Sequence, residues 1–361
     1  MYDGGVPSAS VWSYGTDLKG LPRYGIAVVE ESGKIYAFGG APDDVRVDCY
    51  DPALDTWSSK GDAAGDINYS AANSVAGLIY IGYMAGAIRM REYDPALDAW
   101  GDLAMTAFQV ANVQGGVVGT DIYYFDYNGR NLCAEYATVG DVWDATLNLA
   151  ANRHEYGASG VIAGLYYMAY GMDGARNLKC DEYDPVGLAW ANKNDGPAPA
   201  RAKCVGIAIG GVLYVAGGDT AAGVENRIKD LDAYDQGTGL WSSKEDMPLE
   251  LSNIETSAAV ESSKGYLCGG SGDAVVGASK YLLIFDPAEV YVLWSGTLNV
   301  GDAIAIYRPG GTTKIYADGK VYNLTGSGCV FPIFTAACPV RVTIPYTDDY
   351  TEIEVWTGEV S

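Results

Sequence analysis

The chain has 361 residues, with 46 Asp+Glu against 23 Lys+Arg, a formal charge of -23, one histidine, 47 glycines and 28 tyrosines. Affinity for a polyanion comes from lysines and arginines that displace counterions, so this balance excludes nucleic acid as a partner and disfavours anionic membrane surfaces. One imidazole removes most transition-metal sites and most histidine acid–base chemistry, and no run of about 18 apolar residues is present for membrane insertion as a helix.

In chain order, MYDGGVPSAS carries neither a basic region nor an apolar stretch, so no secretory signal is expected and the chain is expected to be made in the cytoplasm. VWSYGTDL (11–18), which contains Trp12, follows as a strand-like segment. A unit then repeats. The eight tryptophans stand at 12, 57, 100, 143, 190, 241, 294 and 356, between 43 and 62 residues apart. Tyr50, Tyr93, Tyr136, Tyr183 and Tyr234 stand seven residues before Trp57, Trp100, Trp143, Trp190 and Trp241. Phe285 stands nine before Trp294, which implies two extra residues in that turn. Between the aromatics lie YDPALDTW, YDPALDAW, YDPVGLAW, YDQGTGLW and FDPAEVYVLW. Asp-Pro there sets a tight turn, Pro fixing φ and Asp bonding the backbone that follows.

Upstream of each turn is a run of alternating apolar residues that mostly ends in glycine. The copies are GKIYAFGG (33–40), GLIYIGYM (77–84), TDIYYFDY (120–127), GLYYMAYG (164–171), GVLYVAGG (211–218) and KGYLCGGS (264–271), with a seventh, TKIYADGK (313–320), that lacks the turn and tryptophan. Period-two alternation punctuated by Gly and Pro predicts strands, and the pairs Gly39-Gly40, Gly217-Gly218 and Gly269-Gly270 allow sharp turning where a Cβ would clash. Each unit reads as four short strands, and such units repeated radially are the signature of an all-β propeller. The expected units are 21–60, 67–103, 107–146, 152–193, 200–244, 251–297 and 300–328. Segment 11–18 looks like a fourth strand without its first three, and 300–328 like three strands without a fourth. The expected solution is a seven-bladed ring over 1–328 whose amino-terminal strand closes the last blade. Six blades plus a separate carboxy-terminal β unit is the alternative, and 329–361 is expected to be a β arm in either case.

The pattern Pro22-Arg23, GKIYAFGG and YDPALDTW resembles the kelch repeat, most clearly in the first unit and in the fifth, with Ala200-Arg201, YVAGGD and YDQGTGLW. Units two to four depart from it, replacing the double glycine with Gly-Tyr, Phe-Asp or Tyr-Gly. The resemblance implies a partner held on the face that carries the loops between the second and third strands. It also brings kelch-type enzymes into view, but the copper oxidases of this architecture use two histidines and two tyrosines. This chain offers only His154, expected to be structural at the start of a first strand. No catalytic residue, metal or cofactor is therefore assigned.

The loops between second and third strands vary in length and end in Arg46, Arg89, Arg130, Arg176, Arg227 and Lys280. A ring of such cations can hold carboxylates or acidic sugars. The alternative is that each braces its own or the next blade through a carboxylate such as Asp43, Asp44, Asp173 or Glu225. Tyr83, Tyr127 and Tyr170 share this neighbourhood and are candidates for stacking on a ligand. Cys49, Cys133 and Cys180 are expected as buried thiols, and Cys329 with Cys338 as a possible loop-closing pair. The expected function is a binding or assembly module with protein partners, in a larger particle such as a phage virion docked through its carboxy-terminal arm. A cellular kelch interaction protein and a glycan-binding propeller are the alternatives.

Overall fold

The computed structural model describes residues 8–84, 88–103, 114–125, 133–144, 152–223, 226–272, 277–298, 302–307, 312–317, 320–325, 338–345 and 354–359, without the side chains of 8–10, 83–84, 88–89 and 288 onward. Among them there is no α-helix. The chain divides into two bodies, Leu18–Lys280 and Met1–Asp17 with Tyr281–Ser361.

Leu18–Lys280 holds five complete four-stranded antiparallel blades and the inner hairpin of a sixth. Blade 1 runs Ala27–Glu31, Lys34–Phe38, Val47–Asp51 and Thr56–Ser59 from inside to outside. Blades 2 to 5 begin at Ala71–Val75, Gln114–Val118, Ala158–Ile162 and Val205–Ile209. The sixth hairpin is Ala258–Glu261 with Lys264–Cys268.

The ring closes at this point. Val28 N–H donates to Thr256 O at 2.9 Å, Gly270 N–H to Arg23 O at 2.9 Å, and the Tyr266 ring lies 6.0 Å from Tyr50. The sixth hairpin is thus seated against the first blade, and no gap exists for a seventh. The ring has six blades, the alternative to the expected seven. The seventh copy, TKIYADGK, carries only the alternation that any hairpin strand shows. Its strand Thr312–Ala317 pairs with Lys320–Thr325 and with Cys338–Pro345.

In the other body the sixth unit's third strand extends unbroken over Leu282–Leu298. The amino-terminal strand Ser8–Gly15 pairs along it, with Trp12 opposite Phe285 and their rings 5.0 Å apart. Trp12 therefore takes the place that spacing assigned to Trp294, which pairs with Val342 instead. The register jumps from Ser10↔Val290 to Trp12↔Phe285. Residues 286–289, the DPAE that reads as a turn, become a bulge, the position in a sheet where Pro loses no ladder bond.

The repeated aromatics build the core. Tyr50, Tyr93, Tyr136, Tyr183 and Tyr234 face Trp57, Trp100, Trp143, Trp190 and Trp241 across the third and fourth strands, with ring centroids 5.0 to 5.3 Å apart. The same tyrosines cross to the neighbouring blade, as Tyr93 does to Phe38 at 5.7 Å and Tyr234 to Tyr167 at 5.8 Å. In the turns the first Asp accepts from the backbone two residues on, as Asp51 does from Ala53 at 3.0 Å. The second Asp sits at positive φ and accepts the tyrosine hydroxyl, Asp55 from Tyr50 and Asp98 from Tyr93, both at 2.6 Å. Gly218 has φ +102, and a Cβ there would lie 2.5 Å from the Ala202 carbonyl, so this backbone approach requires glycine.

Candidate functional site

The segments leading into the first strands pair with the start of the loops between second and third strands: Tyr24↔Ala41, Glu155↔Met172, Ala202↔Asp219 and Ser252↔Ser271. Lead-ins and loops therefore share one face. The next residue in each lead-in has a left-handed backbone: Gly25, Tyr156, Lys203 and Asn253, matched in blade 2 by Tyr69. They link around the ring, Gly25 N–H donating to Asn253 O at 3.2 Å, Tyr69 N–H to Gly25 O at 3.0 Å and Lys203 N–H to Tyr156 O at 2.5 Å.

From this station the chain reaches the residue paired with the end of the second strand in two steps in blades 1, 2, 4 and 5 (Ala27↔Phe38, Ala71↔Gly82, Ala158↔Ala169, Val205↔Ala216). In blade 6 it takes four, because Ser257 O accepts the Cys268 amide. The two extra residues are Glu255 and Thr256. Thr256 Oγ1 donates to Ile26 O at 3.1 Å and stitches the bulge to blade 1.

Glu255 is 8% exposed, and its carboxylate is hydrogen-bonded by its own backbone N–H. Burial pushes its pKa up to about 7, against a smaller opposing pull from Lys203. Tyr69 is raised by burial and then by the charges of Tyr24, Glu255 and Tyr156. These groups come from the lead-ins of blades 1, 2, 4 and 6. The first strands of the six blades touch one another around the ring, so the lead-ins that enter them stand at the inner edge of this face, the mouth of the central channel. The Tyr24 and Tyr69 rings meet edge-on at 6.2 Å.

The loop cations mostly brace blades. Arg46 Nε lies 2.6 Å from Asp48 Oδ2 and its Nη1 3.7 Å from Asp43. Arg176 crosses from blade 4 to blade 5, its Nη2 2.5 Å from Asp219 Oδ1. Arg227 Nε donates to Ser252 Oγ at 3.0 Å, and Lys280 accepts the Leu18 amide on its carbonyl at 2.8 Å. Asp173 pairs with Arg153 at 3.7 Å. Tyr170 is fully buried, donating to Asp232 Oδ2 at 3.0 Å, under the Arg201 guanidinium at 4.3 Å. Tyr127, Arg130, Glu225 and Cys329 lie outside the described residues, as do the side chains of Tyr83, Arg89 and Cys338. Cys49, Cys133 and Cys180 are buried free thiols.

His154 is buried, its Nδ1 2.8 Å from Tyr170 O and its Nε2 3.0 Å from Asp181 Oδ2. It occupies the position of Arg23 and Arg201, which pair with Asp48 at 2.7 Å and Asp232 at 2.8 Å. Sequence reasoning passed over Glu255, Lys203, Tyr24, Tyr69 and Tyr156. Their signal was present in the lead-ins PRYGIA, NYSAA, HEYGA, RAKCV and LSNIETS, where the last is two residues too long.

Residues 200–248 match the Kelch motif family. The chain is a β-propeller that carries a Kelch motif in its fifth blade. Among solved structures it is similar to one described as "Structure of YjhT", with a TM-score of 0.64 and 12% identity over 78% of this chain and 97% of that one. At that identity the likeness concerns the fold. No curated protein matches the chain.

Proposed function

We propose that this kelch propeller is a non-catalytic recognition module that binds a protein partner at the channel mouth. The observation that carries the proposal is the blade 6 bulge. It adds two residues the blade geometry does not need and buries a carboxyl, Glu255, in the lead-in of blade 6. Burying a carboxyl without a strong partner costs stability, and such a cost at a concave mouth is the mark of a site. Half-buried tyrosines suit a protein partner, offering apolar area with a polar tip. The one histidine is buried in blade 4, held between the Tyr170 carbonyl and Asp181. A role in a larger assembly such as a virion, or toward a glycan, is a further specification that rests on the composition and loop pattern.

Panning a random peptide library against the full chain tests the proposal. Enriched peptides are expected to lose binding with Tyr69→Ala and Tyr156→Ala and to keep it with Leu97→Ser, in an exposed turn on the opposite face. Peptides that ignore the mouth substitutions and depend on the turns would place recognition elsewhere.

A further inference from the structure

A row of residues crosses each blade from its second strand to its outermost one. In blade 3 the row is Tyr123, Glu135 and Asp144, each directly opposite the next. It reads Tyr36, Cys49, Ser58 in blade 1 and Tyr80, Glu92, Gly101 in blade 2. In blades 4 and 5 it reads Tyr167, Glu182, Ala191 and Tyr214, Ala233, Ser242. Of these, blade 3 alone sets two carboxylates opposite one another, an arrangement that a strand pair resists. The matching Glu182 of blade 4 has Lys193 at 2.9 Å. The strands of blade 3 contain no lysine or arginine, and between Arg91 and Arg153 the chain carries nine Asp and Glu against Arg130 alone.

This row faces blade 4, where the Tyr183 ring lies 6.0 Å from Tyr123. Tyr183 holds the station of Tyr50, Tyr93 and Tyr136, whose hydroxyls donate to Asp55, Asp98 and Asp141. In blade 4, Leu188 stands in the aspartate's place, with the same left-handed backbone, φ 48 against 53 at Asp55. Tyr183 is fully buried, and its hydroxyl has no hydrogen-bond partner. Burial raises its pKa, and the charges of Cys133, Glu135, Asp184 and Asp144 add to that, so the orphan hydroxyl stands in the field of the blade 3 carboxylates. The turn tips at this edge are apolar: Val139, 80% exposed, with Val142 in blade 3, and Val186, 92% exposed, with Leu188 in blade 4. A left-handed leucine, an unanswered buried hydroxyl and opposed like charges all cost stability. Costs gathered at one edge, and absent from the other blades, mark a site.

We infer that the outer edge between blades 3 and 4 is a second recognition surface, which takes an arginine side chain of a protein partner flanked by aliphatic residues. A guanidinium is a planar fork of donors. It bridges Glu135 and Asp144 and directs a remaining N–H to the Tyr183 hydroxyl oxygen. Leu188, at the place the aspartate holds over the other tyrosines, is the side chain that gives way to it. The aliphatic flanks cover Val139, Val142 and Val186. A second copy of this chain is a poor occupant, since each copy carries a charge of -23. Nor is a set of three metal-ligating side chains gathered among the described residues. These turns lie on the face opposite the lead-ins, so the surface is separate from the mouth and does not depend on it.

The test uses the full chain and the peptide acetyl-Leu-Arg-Leu-amide, with citrulline in place of arginine as the neutral control, titrated by NMR of the valine methyls. The citrulline peptide is expected to bind about tenfold more weakly, and the shifts to centre on Val139, Val142 and Val186. Asp144→Ser, the residue that blades 1 and 5 carry there, is expected to weaken the arginine peptide by about tenfold. Asp246→Ser, the same change of charge in the segment after blade 5, is expected to leave it unchanged. Tyr183→Phe is expected to raise the midpoint of urea denaturation and yet weaken the peptide severalfold, a combination that a purely structural tyrosine does not give. No binding, equal binding of the citrulline peptide, equal losses from Asp144→Ser and Asp246→Ser, unchanged affinity in Tyr183→Phe or shifts centred elsewhere overturns the inference. Tyr69→Ala and Tyr156→Ala are expected to leave this peptide unaffected, so failure at this edge and failure of the mouth are read separately.

Discussion

Blades 1 and 4 bury an aspartate at the same place, two residues before the third-strand tyrosine, and satisfy it by different means. In blade 1, Asp48 meets two guanidiniums, Arg23 at 2.7 Å and Arg46 at 2.6 Å, and the Ser59 hydroxyl at 3.2 Å. In blade 4, Asp181 meets the His154 imidazole at 3.0 Å and the Asn152 amide, which reaches both its oxygens at 3.0 Å. Blade 5 follows blade 1, with Arg201, Tyr170 and Ser243 on Asp232. The station demands donors that tie the lead-in to the third strand. It does not demand a cation of one kind. A buried carboxylate must be paired, and an imidazole with an amide fulfils that as an arginine does.

This contrast is open to breaking. The largest expected effect is at Arg201. Arg201→Met leaves Asp232 buried without its cation and is expected to cost about 3–5 kcal/mol in urea denaturation. His154→Leu is expected to cost clearly less, about 2 kcal/mol, since Asp181 keeps both Asn152 bonds. Equal costs would mean that the Asn152 bonds do not sustain Asp181 once the imidazole is gone.

Glu255 sharpens the contrast from the other side, as a buried carboxyl that the fold leaves nearly unpaired. Its proton is held to about pH 7 in the folded chain, against an ordinary value of 4.5. Between those values the folded chain binds more protons than the unfolded one. The neutral acid's contribution is therefore fully present below about pH 4.5 and is lost as pH rises through about 7, by up to ~3 kcal/mol. Glu255→Gln is expected to gain on the wild type by about that amount between pH 5 and pH 8. A pH-independent difference would mean that Lys203 already holds Glu255 ionised.

Smaller effects come from the turns, where the partners are half in solvent. Tyr93→Phe removes the 2.6 Å bond to Asp98 and is expected to cost about 1 kcal/mol. Leu97→Ser, at a turn residue 75% exposed, is expected to shift stability by less than about 0.5 kcal/mol.

The spacing of Tyr50 to Trp57 and its four later copies was enough to predict the blades, their turns and the packing of their aromatics. Those contacts join residues close in the chain, and the period repeats them. The sequence likewise carried the reason His154 is structural, its place at the start of a first strand. Ring closure was beyond such reasoning. TKIYADGK and FDPAEVYVLW satisfy the local pattern, yet Trp12, some 270 residues away in sequence, faces Phe285, and the first blade receives the sixth. Which strand completes a blade is decided by what lies alongside when the ring shuts, a contact of the greatest sequence separation. The mouth was decided the same way. Tyr24, Tyr69, Tyr156, Lys203 and Glu255 are scattered over 232 residues, and only the radial symmetry of six blades brings their lead-ins to one face.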